Sequence, residues 1–499
     1  MPSEPKKRRL SPSPSPSPKE PPVVHIPYEV RSSPHVNAAY DSALDQHGPV
    51  VVIPRHGRRD HVLDHRYIRQ ALVADPESFS FEKGAAELLN LGFVSAWGDN
   101  TAYIHDIHNL VAKNVQPRLG GIVEHLAPAI QGQLELIKTV DGTTIGGCDE
   151  EQKDFAECPD LFDQIQLAVA QAMVVLILGE SHAASPIMAK HFSAVAVGMA
   201  DLAGTHESTH AWARFPRLWA FWNALSAAFL IILPTILFGI APALWKTRHE
   251  HLANGLAAQQ RQRQGDFTPL FDVALAQHCG DKPSGLAFLH CLTLCVSIIW
   301  ASVHQTVVAA LWTLVRLVQE QDEYLPAIRR EWESVVDAPG SGGGVRRLSA
   351  KKLGQLVLLD SFIREVMRTR GDTLGCVRQT TRPVQVGPYV IPAKAMCMMP
   401  ISRAHQHPDN YGTTGGVFDG FQWQKLGRQA TQIGPDFLTF GLGKWACPGR
   451  QLAVHEIKIV LYALLSRFDI RLSENTFLVP NTINTASVAP VATLLLRRI

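Results

Sequence analysis

The chain lacks a cysteine framework. Its eight cysteines, at positions 148, 158, 279, 291, 295, 376, 397 and 447 of 499 residues, include no CxxC pair and no regular spacing, which argues against a disulfide scaffold. Charge of one sign is missing too. The 47 basic and 45 acidic residues leave a formal net charge of +2, so no global field draws the protein to nucleic acid or to an acidic partner. Charge of either sign is scarce: charged residues make up 18% and hydrophobic residues 46%, a balance that can fill a large interior and suits a membrane-associated enzyme. The opening has no apolar stretch. Lys6, Lys7, Arg8 and Arg9 precede alternating Ser and Pro up to about residue 22, so a disordered tail (1–22) and no secretory signal peptide are expected. The basic patch resembles a nuclear-localisation string and equally reads as solvated charge. No Lys-Ser or Lys-Thr follows Gly340-Ser341-Gly342-Gly343-Gly344, so that loop is not a phosphate cradle.

What is present is mostly helical patterning. Apolar residues recur every three or four positions around Ile104 to Leu126, Pro159 to Leu178, Met188 to Leu202 and Leu286 to Gln321. Cys291 and Cys295 share one face of the last stretch and read as small buried hydrophobes. Short β-rich runs predict a small sheet between Val23 and Phe81, a hairpin at Val384 to Met398 turning at Gly387-Pro388, and a strand near Val491 to Leu496. The expected fold is mainly α with small β-sheets, in one domain over residues 23–499. Leu218 to Trp245 gives 28 residues without a charge, long enough to cross a bilayer. Pro234, Gly239 and Pro242 interrupt it, so a membrane-dipping helical hairpin, a true span and a buried core all stay open.

The sharpest feature is Phe440-Gly441-Leu442-Gly443-Lys444-Trp445-Ala446-Cys447-Pro448-Gly449-Arg450, followed by a helical run to Arg467. Glycines let backbone N–H groups approach a sulfur, and the positive end of the following helix favours an anion there. Both effects favour the Cys447 thiolate. Upstream, Glu365 and Arg368 stand three apart on a predicted helix and can pair. The long helix carries Ala301-Ser302-Val303-His304-Gln305-Thr306 at its middle.

These strings resemble, in order, three motifs of the cytochrome P-450 family. Phe440, Gly443, Cys447 and Gly449 match the haem-binding signature in register. The resemblance implies the P-450 fold, haem b as cofactor, Cys447 as the proximal iron ligand, Phe440 packed beside it, and Gly443 and Gly449 shaping the bulge under the porphyrin. It implies a structural role for Glu365 and Arg368, and a proton-delivery role for His304, Gln305 and Thr306. His304 replaces the family's acid and Gln305 its first Thr, a variation that resembles fungal secondary-metabolism members. His can shuttle protons near neutral pH, whereas Gln can only orient water.

Three positions depart from the pattern. Trp445 stands where an Arg or His usually meets a haem propionate, so another base is required. Arg378 is the better candidate, while His105, His108 and Arg118 lie near the usual propionate helix without its Trp-x-x-x-Arg string. In Phe418-Asp419-Gly420-Phe421-Gln422-Trp423, Gln422 replaces the Arg expected to join Glu365, so that network should be weaker or recruit Arg403 or His405. His405 and His407 read as turn histidines rather than metal ligands.

The resemblance implies a monooxygenase acting on an apolar small molecule, by hydroxylation or by oxidative coupling or ring rearrangement. A separate NADPH-dependent reductase should supply electrons, docking near Lys425, Arg428, Lys444 and Arg450. Attachment to the cytosolic face of the endoplasmic reticulum is the matching location. Loss of the bases at Trp445 and Gln422 motivates the alternative of a degenerate, non-catalytic haem-binding paralogue.

Overall fold

Helices that are apolar nearly all round must sit at the centre of a fold, and the chain supplies two. A computed structural model of the chain describes residues 19–31, 33, 36–55, 57–88, 100–137, 155–203, 215–260, 267–280, 282, 284–336, 348–370, 374–479 and 488–499. Its helices include α1 (Phe81–Leu88), α2 (Asn100–Asn114), α3 (Leu119–Glu135), α4 (Leu161–Leu178), α5 (Pro186–Ala203), α6 (Arg217–Gln260), α7 (Leu270–His278), α8 (Gly285–Gln319), α9 (Val357–Thr369) and α10 (Arg450–Leu465). Among these, α4 and α10 are buried along most of their length, and α8 over its second half. α4 packs on α3, α5 and α8, and α10 closes the same core against α3 and α8. The Ser284 hydroxyl starts α8 by accepting the Ala287 N–H. Cys291 and Cys295 lie buried on one face of α8.

The sheets sit at the edge of this helical core. Val50–Arg55 (β1), Arg58–Leu63 (β2), Phe79–Ser80 (β3), Leu374–Thr380 (β5) and Met396–Pro400 (β8) form a sheet in the order β1-β2-β8-β5-β3. Ala156–Glu157 (β4), Phe468–Leu472 (β9) and Leu494–Arg498 (β10) form a second, in the order β4-β10-β9. Val384–Val386 (β6) and Tyr389–Ile391 (β7) make the hairpin around Gly387-Pro388. A register shift in β5 between Gly375 and Arg378, with Cys376 at φ 48°, turns the strand as it passes beneath α1.

Two expectations need adjustment. Residues 19–22, assigned to the tail by composition, are placed: Lys19 exchanges backbone hydrogen bonds with Pro388 and Val390, and the Pro22 carbonyl accepts the Val52 N–H. Residues 1–18 and the loop 340–344 lie outside the described residues. α6 has no turn. It runs unbroken past Pro234, which stands between two π-helical stretches, Leu225–Ile232 and Thr235–Ile240. Widened turns absorb the proline's missing N–H, so the hairpin is not formed. α5 and α6 approach so closely that a Cβ on Gly198 would fall 2.9 Å from Ile232. The other side of α6 carries Phe221, Trp222, Phe229, Leu230, Leu237 and Phe238 in the open, the last of these 82% exposed.

Candidate functional site

The loop before α10 is folded by its own backbone. The Cys447 N–H donates to the Phe440 carbonyl (2.8 Å), and the Ala446 N–H to that of Gly443 (3.1 Å). Gly441 and Gly443 take φ values of 71° and 74°, and a Cβ on Gly443 would lie 2.5 Å from the Leu72 carbonyl oxygen. Only glycine fits there. The reward of this geometry is a sulfur with the Gly449 and Arg450 amides directed at it. Arg450 also donates to the Cys447 carbonyl at 2.9 Å. Burial pushes the thiol up, whereas both amides and the Arg450 charge pull it down, and burial prevails. The cradle therefore favours the anion, as the sequence suggests, while burial opposes it. A cation bonded to the sulfur would complete the balance. Cys447 is half-buried rather than closed over.

Trp445 forms a wall beside this loop. It stacks on Phe81 of α1 (centroids 5.0 Å apart) and receives the ring edges of His105 (4.7 Å) and His108 (5.1 Å) from α2. The His108 ring also bonds the Ala446 backbone, and burial lowers its pKa. Phe81 also meets Arg378, whose guanidinium carbon is 5.2 Å from the ring centroid. Arg378 is 3% exposed. It donates to the Val377 carbonyl (2.8 Å) and forms no ion pair among the described residues. Burial depresses its pKa, opposed by Cys376 and Glu82. A buried guanidinium with unspent donors calls for an anion. The structure thus brings Arg378, His105 and His108 to the same wall. Arg118 goes elsewhere, lining a cavity of about 440 Å³ with Asn114, Gly255 and Gln277.

On α9, Arg368 grips Glu365 with two bonds of 2.8 and 2.6 Å, both side chains fully buried. The remaining guanidinium donors reach the carbonyls of His405 (3.0 Å), Gly415 and Val417 (2.8 Å). Glu365 accepts the Trp423 indole N–H at 2.8 Å and the Asp419 backbone N–H at 3.1 Å. Gln422 supplies none of these bonds. Its neighbour Trp423 occupies the place expected of it. Arg403 is engaged with Asp45 and Asp64 instead. His405 joins by its backbone and ring, accepting the Leu438 N–H at Nε2 and donating from Nδ1 to the Arg368 carbonyl.

At the middle of α8, Ala301 is exposed between half-buried Trp300 and Ser302, so the helix borders open space there. His304 and Gln305 are half-buried and Thr306 is buried. Asp201, at the end of α5, lies near His304: its surroundings push the carboxyl up, and the imidazole draws it back down.

Comparison with known proteins adds the deciding observation, because the cytochrome P450 family model matches residues 148–494. The chain belongs to the cytochrome P450 family. Relatives include cytochrome P450 monooxygenase 3 of Gibberella fujikuroi, 29% identical over 45% of this chain and 45% of that protein. Cytochrome P450 monooxygenase braC of Annulohypoxylon truncatum is 30% identical over 35% of this chain and 36% of that protein. Rat cytochrome P450 7A1 is 26% identical over 49% and 51%. The chain spans about half or less of the length of these curated relatives. A retinoic acid-bound cyanobacterial CYP120A1 shares the fold, with a TM-score of 0.63 at 17% identity, covering 97% of this chain and 100% of that one.

A P450 implies a haem, and the residues fit one: a half-open cysteine under two amides, and a nearly buried guanidinium without a carboxylate. The sequence concealed two members of the site. Asp201 lies more than a hundred residues from His304 with no motif around it, and Trp423 stands one position beyond Gln422. The surface proposed for a redox partner is less basic than its sequence suggested, since Arg428 pairs with Asp436 (2.7 Å) and Lys425 lies 3.8 Å from Asp419.

Proposed function

We propose that this P450 is a haem-thiolate monooxygenase that oxidises an apolar small molecule in fungal secondary metabolism. The observation that carries the reading is the Cys447 sulfur facing two backbone amides at the start of α10. Cys447 would ligate the iron, with Phe440, Gly443 and Gly449 shaping its loop. Arg378 would neutralise a propionate in place of the base missing at Trp445, helped by His108 and His105. Haem b, when bound, supplies reductive activation of O2, one oxygen going to substrate and the other to water.

The chain's own residues deliver the proton. His304, biased by Asp201, holds one at its ring and passes it along α8, where the Gln305 amide orients water and Thr306 presents a hydroxyl. A separate NADPH-dependent reductase supplies electrons, and the open apolar side of α6 rests on the cytosolic leaflet of the endoplasmic reticulum.

Incubating the full chain with reductase, NADPH and a crude metabolite pool tests the reading. It requires an oxidised product that Cys447→Ser fails to form, and equal products from both proteins would overturn it. The altered relay favours oxidative coupling or ring rearrangement over hydroxylation. On that view a His304→Asp, Gln305→Thr double variant keeps its turnover within about threefold. A large gain in hydroxylated product would instead favour hydroxylation.

A further inference from the structure

We propose that Asp106, His278 and His290 form a zinc site that clips α2, α7 and α8 together. Each ligand comes from a different helix, and their nearest ligand atoms all lie within 4.8 Å of one another. The Asp106 Oδ2 is 3.5 Å from the His290 Nε2. The two imidazoles meet edge to face, with centroids 4.7 Å apart at 71°. Tetrahedral Zn²⁺ with bonds of ~2.0–2.1 Å spaces its ligand atoms by roughly 3.3 Å. Asp106 and His290 are already near that spacing, and His278, exposed at the end of α7, can close the remainder by side-chain rotation.

Two nitrogens and one carboxylate oxygen suit Zn²⁺ rather than Mg²⁺ or Ca²⁺, and water can fill the fourth position. The carboxylate and both rings are partly exposed, so an ion has a route in. A depression of about 180 Å³ adjoins them, lined by Asp106, Asn109, Lys113 and His278. Lys113 is exposed and free to turn to solvent.

A second cluster, His65, His407 and Asp409, fails the same reasoning. The Arg403 guanidinium donates to the His65 Nδ1, and the His407 Nδ1 accepts the Asp409 N–H, so ligand atoms are spent and a cation is repelled. The proposed site matters because α2 turns His105 and His108 towards Trp445 while Tyr103 and Asp106 face α8. Zinc bound there would fix the wall beside Cys447 without touching it.

The test is calorimetric titration of the full chain with Zn²⁺ after chelator treatment. Wild type should bind one equivalent more than the His278→Ala, His290→Ala double variant, and Asp106→Asn should weaken that equivalent at least about tenfold. A His407→Ala, Asp409→Asn control should retain it. Equal stoichiometry and affinity in wild type and double variant would overturn the site, as would no saturable binding by wild type. Should the double variant fail to fold, the isosteric Asp106→Asn decides. X-ray absorption of the zinc-loaded wild type must show nitrogen and oxygen only, and a sulfur shell, from Cys279 or Cys291, would also overturn it.

Discussion

His405 shows how one side chain can fasten a site it does not enter. Its ring accepts the Leu438 N–H and donates to the Arg368 carbonyl, so it ties the strand of chain before the cysteine loop to the end of α9. Burial pushes its pKa down to about 3. A histidine depressed in the folded state binds fewer protons there than in the unfolded chain. Its contribution to stability is therefore complete above pH ~6.5 and is lost as the pH falls towards the folded value. Between pH 6.5 and 5 the loss is about 2 kcal/mol. Denaturant unfolding across that range should show it, and His405→Gln, which offers the same acceptor and donor, should flatten the slope. An unchanged slope in the variant would contradict this account.

At the scale of an element, α9 was readable and its partners were not. The Glu365–Arg368 spacing follows from helical geometry, which puts residues three apart on one face. Nothing local indicates that Trp423, rather than Gln422, completes the pair, because that contact depends on how residues 418–425 lie across α9. The indole N–H donates to a buried carboxylate, and such bonds contribute about 1.5–3 kcal/mol. Trp423→Phe should therefore lower stability by about that amount, read by denaturant unfolding, whereas Gln422→Ala should change it by less than about 0.5 kcal/mol. The reverse order would show that Gln422, not the indole, anchors α9. For α6 the composition left several shapes open: Pro234 allowed a turn, but adjacent π-helical stretches carry the backbone past it. Local propensity does not encode that choice, since it is made by packing on α5.

For the whole molecule, the mainly α core, the edge sheets and the order of the motifs were legible because each rests on periodicity or on an unbroken string of residues. The meeting of α5 with α8 at Asp201 and His304, and of α1, α2 and β5 around Trp445, is tertiary and has no such mark. Three helices among the described residues are long and apolar enough to cross a membrane. Two of them, α4 and α8, spend much of that surface in the core, whereas α6 keeps most of it open. Burying a Phe or Leu in an apolar phase is worth ~1.5–3 kcal/mol. Replacing Phe229, Leu230 and Phe238 with Ser should thus weaken flotation with phosphatidylcholine vesicles by at least about tenfold. Undiminished flotation would place the membrane contact elsewhere.

The central claim is that the sulfur of Cys447 bonds directly to haem iron. Its most direct test is the absorption spectrum of the reduced, carbon monoxide-treated protein beside its Cys447→Ser variant. The wild type should show the red-shifted Soret band of a thiolate-ligated haem, and the variant should lose it. An identical thiolate-type band in both proteins would contradict the assignment, as would a wild type that takes up haem yet shows only the shorter-wavelength band of nitrogen ligation.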